Sequence, residues 1–279
     1  MAVSISNAFV TLFDSEVKQA YQGQRALAGL VRERAVEGST VKFPKIGKGT
    51  ASIRVPQTDV TPMSVTYSQV TATMEDYIAA EYSDIFNQAK VNFQDRAELV
   101  KVVSGAIGRR MDQVVIDALV ASSGTNTVAN SIGGSGTNLN VAKLRAAKKA
   151  MDAKNVPAEG RCIIAHANNM DALLAETSVT SSDFNTVKAL VTGDVNAFLG
   201  FTFISLGDRD EGGLAIDGSN DRIVYAFQKD AMGLGIGMNQ QSRVDYIPEK
   251  TSFLVASMFS SGSVAIDPEG ITKITCREA

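Results

Sequence analysis

Residues 94–121 place apolar side chains at i, i+3 and i+4 for about 28 residues, a rod of roughly 40 Å at ~1.5 Å per residue. Leu99, Val102, Val103, Ala106, Ile107, Met111, Val114, Ala118 and Leu119 form the stripe. Asp95, Lys101, Arg109, Asp112 and Asp117 fall mostly off it. Such a helix is more than twice the average length. In a chain of 279 residues it predicts a mechanical spine, and every other element must be arranged around it.

The segment before the spine cannot hold itself up. In residues 39–82, Val41 and Phe43 alternate with Thr40 and Lys42, Ala51, Ile53 and Val55 with Ser52 and Arg54, and Val65 and Tyr67 with Thr66 and Ser68. These are strand patterns, punctuated by Gly47-Lys48-Gly49, Pro56 and Pro62. Each strand has one thin apolar face, and an isolated two-stranded ribbon is marginal in water. No sequence-adjacent element is an obvious cover, so a neighbouring subunit is the expected one. Residues 3–38 read as an arm. Asp14, Ser15 and Glu16 open a short helix, but Gly23, Gly29 and Gly38 weaken it by up to ~1 kcal/mol each.

After the spine comes a Gly/Ser/Thr/Asn-rich spacer at 122–138, flexible or loosely ordered. A second helix follows at 140–154, with Val141, Leu144, Ala147 and Met151 inward. Lys143, Arg145, Lys148, Lys149 and Lys154 point outward as a basic face that could meet DNA but is expected to be a solvated face or subunit contact. A strand is expected at 161–165, a helix at 168–176, helical stretches near 184–198 and a strand at 201–206. The remainder is mostly β, at 222–227, 232–238, 242–247, 252–260, 263–266 and 271–276. Asp267-Pro268-Glu269-Gly270 fits a type I turn. The fold class is α+β.

Chemistry is scarce. The chain has one histidine, His166, and two cysteines, Cys162 and Cys276. Any nucleophile–histidine pair must use His166, yet Cys162 lies about 13 Å away along the same strand face. His166 reads as a strand-end residue near a helix N-terminus. Gly47-Lys48-Gly49-Thr50 lacks the phosphate-loop spacing, and Gly233-Leu-Gly235-Ile-Gly237 is an alternating strand. Asp208-Arg-Asp210-Glu-Gly212-Gly213 starts like a calcium loop but has Ser219 where the bidentate Glu belongs, so it reads as a solvated turn. A zinc site needs about four N or S ligands, and the chain offers three. No catalytic, cofactor-binding or metal-binding residue is assigned, and no cofactor is expected.

The charge balance points the same way. Lys and Arg number 27 against 30 Asp and Glu, a net charge of −3. Nucleic-acid binding as a main task needs a basic stripe to neutralise phosphates, and the near-neutral balance argues against it. No apolar run approaches the ~20 residues of a membrane span, and Met1-Ala-Val-Ser-Ile-Ser has no signal-peptide pattern. Two cysteines are not a disulfide framework. These features predict a soluble, cytoplasmic, metal-poor protein with reduced thiols and no membrane contact.

Three phrases, in this order, carry a resemblance. They are Val195-Asn-Ala-Phe-Leu-Gly-Phe-Thr-Phe-Ile-Ser205, Tyr225-Ala-Phe-Gln-Lys-Asp-Ala-Met-Gly-Leu-Gly235 and Gly262-Ser-Val-Ala-Ile-Asp-Pro-Glu-Gly-Ile271. With the sequence of arm, ribbon, spine, α/β body and β tail, the chain resembles the major capsid proteins of tailed double-stranded DNA bacteriophages, of the Hong-Kong-ninety-seven-type capsid fold. The resemblance implies an N-terminal arm at 1–38, an extended E-loop at 39–89 lying across an adjacent subunit, a peripheral P domain at 90–155 and 245–279 with spine helix 94–121, and an axial A domain at 156–244 with a mixed sheet flanked by helices. It implies self-assembly into the pentamers and hexamers of an icosahedral head that encloses the genome, in a virion assembled in the host bacterial cytoplasm. Because the body begins within about forty residues, a separate scaffolding protein is expected beside the portal. Packaged double-stranded DNA is expected to be contacted weakly and non-specifically. Lys45, Lys48, Arg54 and Asp59, near the ribbon tip, are the candidate intersubunit contacts. The alternatives are another self-assembling virion or encapsulin-like compartment protein and, from a different class, a carboxylate-using hydrolase.

Overall fold

A computed structural model describes residues 24–88, 95–176, 197–209 and 211–278. Twelve strands and four α-helices run through these residues. In chain order the first are β1 (Arg32–Ala35), β2 (Thr40–Ile46), β3 (Tyr67–Thr73), β4 (Glu75–Asp84), the short α1 (Ile85–Gln88) and α2 (Asp95–Ala121). Next come β5 (Asn126–Val128), α3 (Val141–Ala153), β6 (Arg161–His166), α4 (Ala167–Leu174), β7 (Ala197–Phe198) and β8 (Phe201–Leu206). The chain closes with β9 (Asp221–Gln228), β10 (Met232–Ile247), β11 (Ser252–Ala265) and β12 (Ile271–Arg277).

The strands form three sheets: a four-stranded sheet ordered β1-β10-β11-β4, a six-stranded sheet ordered β5-β12-β9-β6-β8-β7, and the two-stranded ribbon β2-β3. Helix α2 is the predicted spine, and it serves both large sheets. Ile107 and Met111 pack on Phe259 of β11. One helical turn further on, Val114, Val115, Ile116 and Leu119 pack with Cys162, Ile164, Tyr225 and Phe227 of the six-stranded sheet. The opposite face of that sheet is covered by α3 and α4 through Leu144, Ala147, Met151, Met170 and Leu173. A strand covered on both faces reads as a continuous apolar run, and every residue of β6 is buried.

The long hairpin β10–β11 differs from its sequence pattern. Residues 232–238 and 242–247 are one strand with register shifts between Ile236 and Gln241. A bulge carries the chain across the polar interval that the alternation read as a break. Residues 252–260 and 263–266 are likewise one strand, β11. The Ser260-Ser261-Gly262 interval is small because a Cβ on Gly262 would lie 2.1 Å from the Thr73 carbonyl oxygen at the root of the ribbon. Between β11 and β12, Asp267 caps a single 3₁₀ turn, Pro268–Gly270, at the predicted turn.

Two polar residues expected outside are inside. Lys143 is fully buried on α3, and its ammonium donates to the carbonyls of Thr137 and Thr275. Asp112 of α2 is fully buried as well. Its carboxylate accepts from the backbone N–H groups of Ala26 (2.8 Å) and Leu27 (3.0 Å), which fastens the end of the arm to the spine. The spacer 122–138 contains β5, paired in parallel with β12. The short arm helix read near Asp14 lies outside the described residues, and so does 184–196 of the helical stretch read near 184–198. Ala197 and Phe198 are strand.

The implied domain limits cut across the sheets. Strand β12, in the segment read with the peripheral part, belongs to the six-stranded sheet, and most of β10, read with the axial part, belongs to the four-stranded one. Within the segment read as the extended loop, β4 pairs with β11 over ten positions. The free ribbon is therefore only β2, β3 and the residues between them.

Candidate assembly surface

The ribbon has a covered root and a bare tip. Strands β2 and β3 pair from Thr40↔Thr73 to Ile46↔Tyr67. Val41, Phe43 and Ala72 are buried at the root with Ile266, flanked by Val36, Met74 and Val264. The root is thus part of the subunit's own core, contrary to a ribbon that buries nothing by itself. The close approach is recorded in the glycines beneath it: a Cβ on Gly233 would meet the Phe43 ring at 2.7 Å.

Residues 47–66 form no strand. The strand expected around Ala51–Val55 is absent, because Pro56 and Pro62 remove backbone donors and no partner strand lies alongside. Only one further ladder bond, from Gly47 N–H to the Thr66 carbonyl, extends the ribbon. Beyond it the apolar side chains face solvent, with Ile53 94% exposed and Val60 88% exposed and Val55 and Met63 exposed too, and the last paired residues, Ile46 and Tyr67, are likewise exposed. Scattered exposed apolar residues are ordinary, but six on one projecting element are the signature of an interaction surface.

The four candidate contacts separate into two pairs. Lys45 lies 2.8 Å from Asp267, the cap of the 3₁₀ turn before β12 of the same chain, and Lys48 lies 2.8 Å from Glu269 on that turn. Glu269 holds the Lys48 ammonium above its ordinary value, and Lys48 holds the Glu269 carboxyl below its own. Arg54 and Asp59 are exposed on the tip. The acidic turn that tethers the two lysines was legible as a turn, but its pairing partner 221 residues away was not.

A second exposed apolar group lies on β4 and just beyond it. Ile78 and Tyr82 are exposed on the strand, followed by Ile85 and Phe86. Tyr77, with the opposite pleat direction, stacks on Phe259 at 5.0 Å and lies under the Arg110 guanidinium. One face of β4 therefore completes the core beneath the spine, and the other is left open.

The histidine and the two cysteines are held structurally. His166 caps α4, with its ring nitrogen accepting from Asn168 N–H and Asn169 returning a bond to the His166 backbone N–H. Cys162 and Cys276 are buried, and burial pushes both thiols up to about 12. In the segment that reads as a solvated turn, 208–213, the described residues Arg209 and Gly212 dock on the spine as a strap. Arg209 bonds Asp112 and the Gln24 carbonyl, and Gly212 N–H donates to Gln113 at 2.8 Å. Gly212 has φ +74°, and a Cβ there would stand 2.7 Å from the Arg109 carbonyl. Among the described residues no group of three or more His, Cys, Asp or Glu side chains is arranged to hold a metal ion, and no helix is long and apolar enough to cross a membrane.

Comparison with known proteins bears on what such a surface serves. The family model described as phage capsid protein matches residues 5–278. No curated protein matches the sequence. Among solved structures, the capsid of the cyanophage P-SCSP1u superposes with a TM-score of 0.77 at 18% identity, covering 100% of this chain and 96% of that one. The head of the Helicobacter pylori bacteriophage KHP40 gives 0.79 at 12% identity, covering 98% of each chain. A chain from Mycobacterium phage Che8 gives 0.71 at 16%, covering 94% of this chain and 95% of that one. Both the α+β class and the tailed-phage capsid architecture expected from the sequence are met. The chain belongs to the phage capsid protein family and is a structural shell protein with the fold of the phage capsid and head chains it superposes on.

Proposed function

We propose that the ribbon tip, residues 47–66, is the clasp by which one subunit grips the next in the pentamers and hexamers of an icosahedral head. The observation that carries this reading is the bare apolar tip on a covered root, above all Ile53 and Val60. Burying hundreds of Å² of such surface at ~25 cal/mol per Å² is worth several kcal/mol per contact before entropy. In a closed shell each subunit gives one clasp and receives one, so modest contacts add up. Arg54 and Asp59 supply charge at the clasp, while Lys45 and Lys48 aim it from their own subunit.

In this reading the peripheral module is the four-stranded sheet with α2, and the axial module is the six-stranded sheet with α3, α4 and β12. The shell encloses double-stranded DNA, touches it weakly and non-specifically, and acts without catalysis. A separate scaffolding protein and a portal guide assembly in the host bacterial cytoplasm. The net charge of −3 supports weak DNA contact.

The test replaces Lys48 through Val60 with a short Gly-Ser link. The variant keeps its far-ultraviolet circular dichroism and a cooperative melt, and forms no particles. Normal assembly would remove the clasp from the tip, and loss of folding would place the tip in the subunit's own core.

A further inference from the structure

The four-stranded sheet ends on β4, and this edge is open. Among the described residues β4 pairs with β11 alone, without a register shift, so the backbone groups on its other side meet no strand. The strand contains no Lys, Pro or bulge, the usual devices that stop an edge from accepting another strand. It carries Glu75, Asp76, Glu81 and Asp84 instead. Four carboxylates keep two such edges from pairing with each other and favour a strand that brings positive charge. Between the edge and the spine runs a cleft of about 550 Å³, lined by Tyr77, Ile78, Ala79, Ala106 and Ile107, with Arg110 over the Tyr77 ring.

The ribbon tip holds a segment of matching pattern. Ala51, Ile53 and Val55 alternate with Ser52 and Arg54, yet these residues form no strand within the subunit. On β4 the period of two puts Ile78, Ala80 and Tyr82 on the open face and Tyr77, Ala79 and Glu81 on the face toward the spine. A strand laid along this edge with Ile53 and Val55 on the open face turns Arg54 to the side of Glu81. Arg110 repels Arg54 at the Tyr77 end, so charge sets Arg54 opposite Glu81. Ile53 and Val55 then lie beside Ala80 and Tyr82, and Pro56 ends the pairing.

The tip cannot reach the edge of its own subunit. Only Met74 separates β3 from β4. Thr73 abuts Gly262 of β11, and Glu75 pairs with Ser261 on the same strand. The chain therefore passes along β11 from ribbon to edge, with the tip at the opposite end. The strand that fills the edge comes from a second copy.

We propose that residues 50–55 of one copy add a fifth strand to the β4 edge of the next, with Arg54 paired to Glu81. This inference rests on the reading of the tip as the clasp and names what the clasp grips. Backbone hydrogen bonds supply attraction that apolar burial alone does not, and the alternate side chains fix the register. Each copy gives a tip and offers an edge, so the contact is heterologous and repeats around a ring.

Charge exchange and cross-linking test the pairing in the full chain. Arg54→Glu and Glu81→Arg each cut particle yield by more than about ten-fold, since every contact of the ring carries the repulsion. The double variant Arg54→Glu/Glu81→Arg recovers it. Both side chains are exposed, so the melt of the unassembled subunit stays unchanged throughout. In assembled particles, oxidation links Ile53→Cys to Ala80→Cys if the added strand is parallel, and Val55→Cys to Ala80→Cys if it is antiparallel. Either ladder of linked chains supports the pairing. Particles that form yet give neither ladder overturn it, and so does a double variant that stays unassembled. Should the cysteine variants not assemble, the charge exchange decides alone. Failure of the clasp itself is separate: it shows as normal assembly when Lys48 through Val60 are replaced, whereas a wrong edge leaves that replacement unassembled.

Discussion

Lys48 Nζ lies 2.8 Å from Glu269 Oε2, so the residue where the ribbon becomes an irregular tip is tied to the turn before the last strand. The pair is exposed, and exposed ion pairs contribute little to stability because water and salt screen them. Its effect is directional, since it fixes the angle at which the tip leaves the body.

Glu269→Gln is therefore expected to leave the melting temperature unchanged while speeding tryptic cleavage after Arg54. The carboxyl of Glu269 is held below its ordinary value. Its contribution is present above the usual carboxylate range and fades as pH falls through the depressed value. The wild type should approach the variant's cleavage pattern in strong salt. Equal cleavage of the two proteins at low salt would show that the pair does not orient the tip.

Root and tip should answer oppositely to mutation. Phe43 is fully buried with Val41, Ala72 and Ile266, so Phe43→Ala should destabilise the subunit by about 3–5 kcal/mol. Ile53 touches little of its own chain, so Ile53→Ser should leave the melt unchanged and impair particle formation. Calorimetry of the unassembled subunit and sedimentation of the assembly products read the two effects separately. A large loss of stability in Ile53→Ser would contradict the division.

These two residues also mark how far the sequence is legible. The alternation of Val41 and Phe43 was read as a strand, and the period of α2 as a spine, because local spacing decides both. The same alternation at Ala51, Ile53 and Val55 gave a strand that does not form, since pairing depends on a partner and two prolines forbid it. Lys143 was read outward because lysine is rarely buried. Its two carbonyl acceptors come from Thr137 and from Thr275, 132 residues away. Asp112 and the strap escaped for the same reason: their partners meet only in three dimensions. The assembly surface could be inferred from a lack of cover, but its tether to Asp267 and Glu269 could not.

The cysteines give a chemical test of the six-stranded sheet. Cys162 packs on the face covered by α2 and Cys276 on the face covered by α3 and α4. Being on opposite faces, they cannot pair in the folded subunit. Burial pushes both thiols up to about 12, so almost no thiolate exists at pH 8. Ellman's reagent should find no reactive thiol in native protein at pH 8 and two per chain in guanidinium chloride. Non-reducing electrophoresis of particles should show monomer. Rapid native labelling, or a ladder abolished by reductant, would contradict this packing.

The arm's attachment should be read through Asp112. Its carboxylate receives Ala26 N–H, Leu27 N–H and the Arg209 guanidinium at 3.3 Å. Asp112→Ala leaves two amides and a cation without their acceptor, a loss of about 2–4 kcal/mol. Asp112→Asn preserves shape and one acceptor, so it isolates the charge. Burial holds the Asp112 carboxyl above its ordinary 3.8, against the opposing bonds from Ala26, Leu27 and Arg209. With the folded value raised, the folded state binds the proton more tightly than the unfolded state. That contribution is complete below 3.8 and is lost as pH rises through the folded value. Urea unfolding of the unassembled subunit should therefore show wild type losing stability relative to Asp112→Asn between pH 4 and pH 7. A difference that does not change with pH would mean that the arm is held by geometry alone and that the charge on Asp112 is neutral to folding.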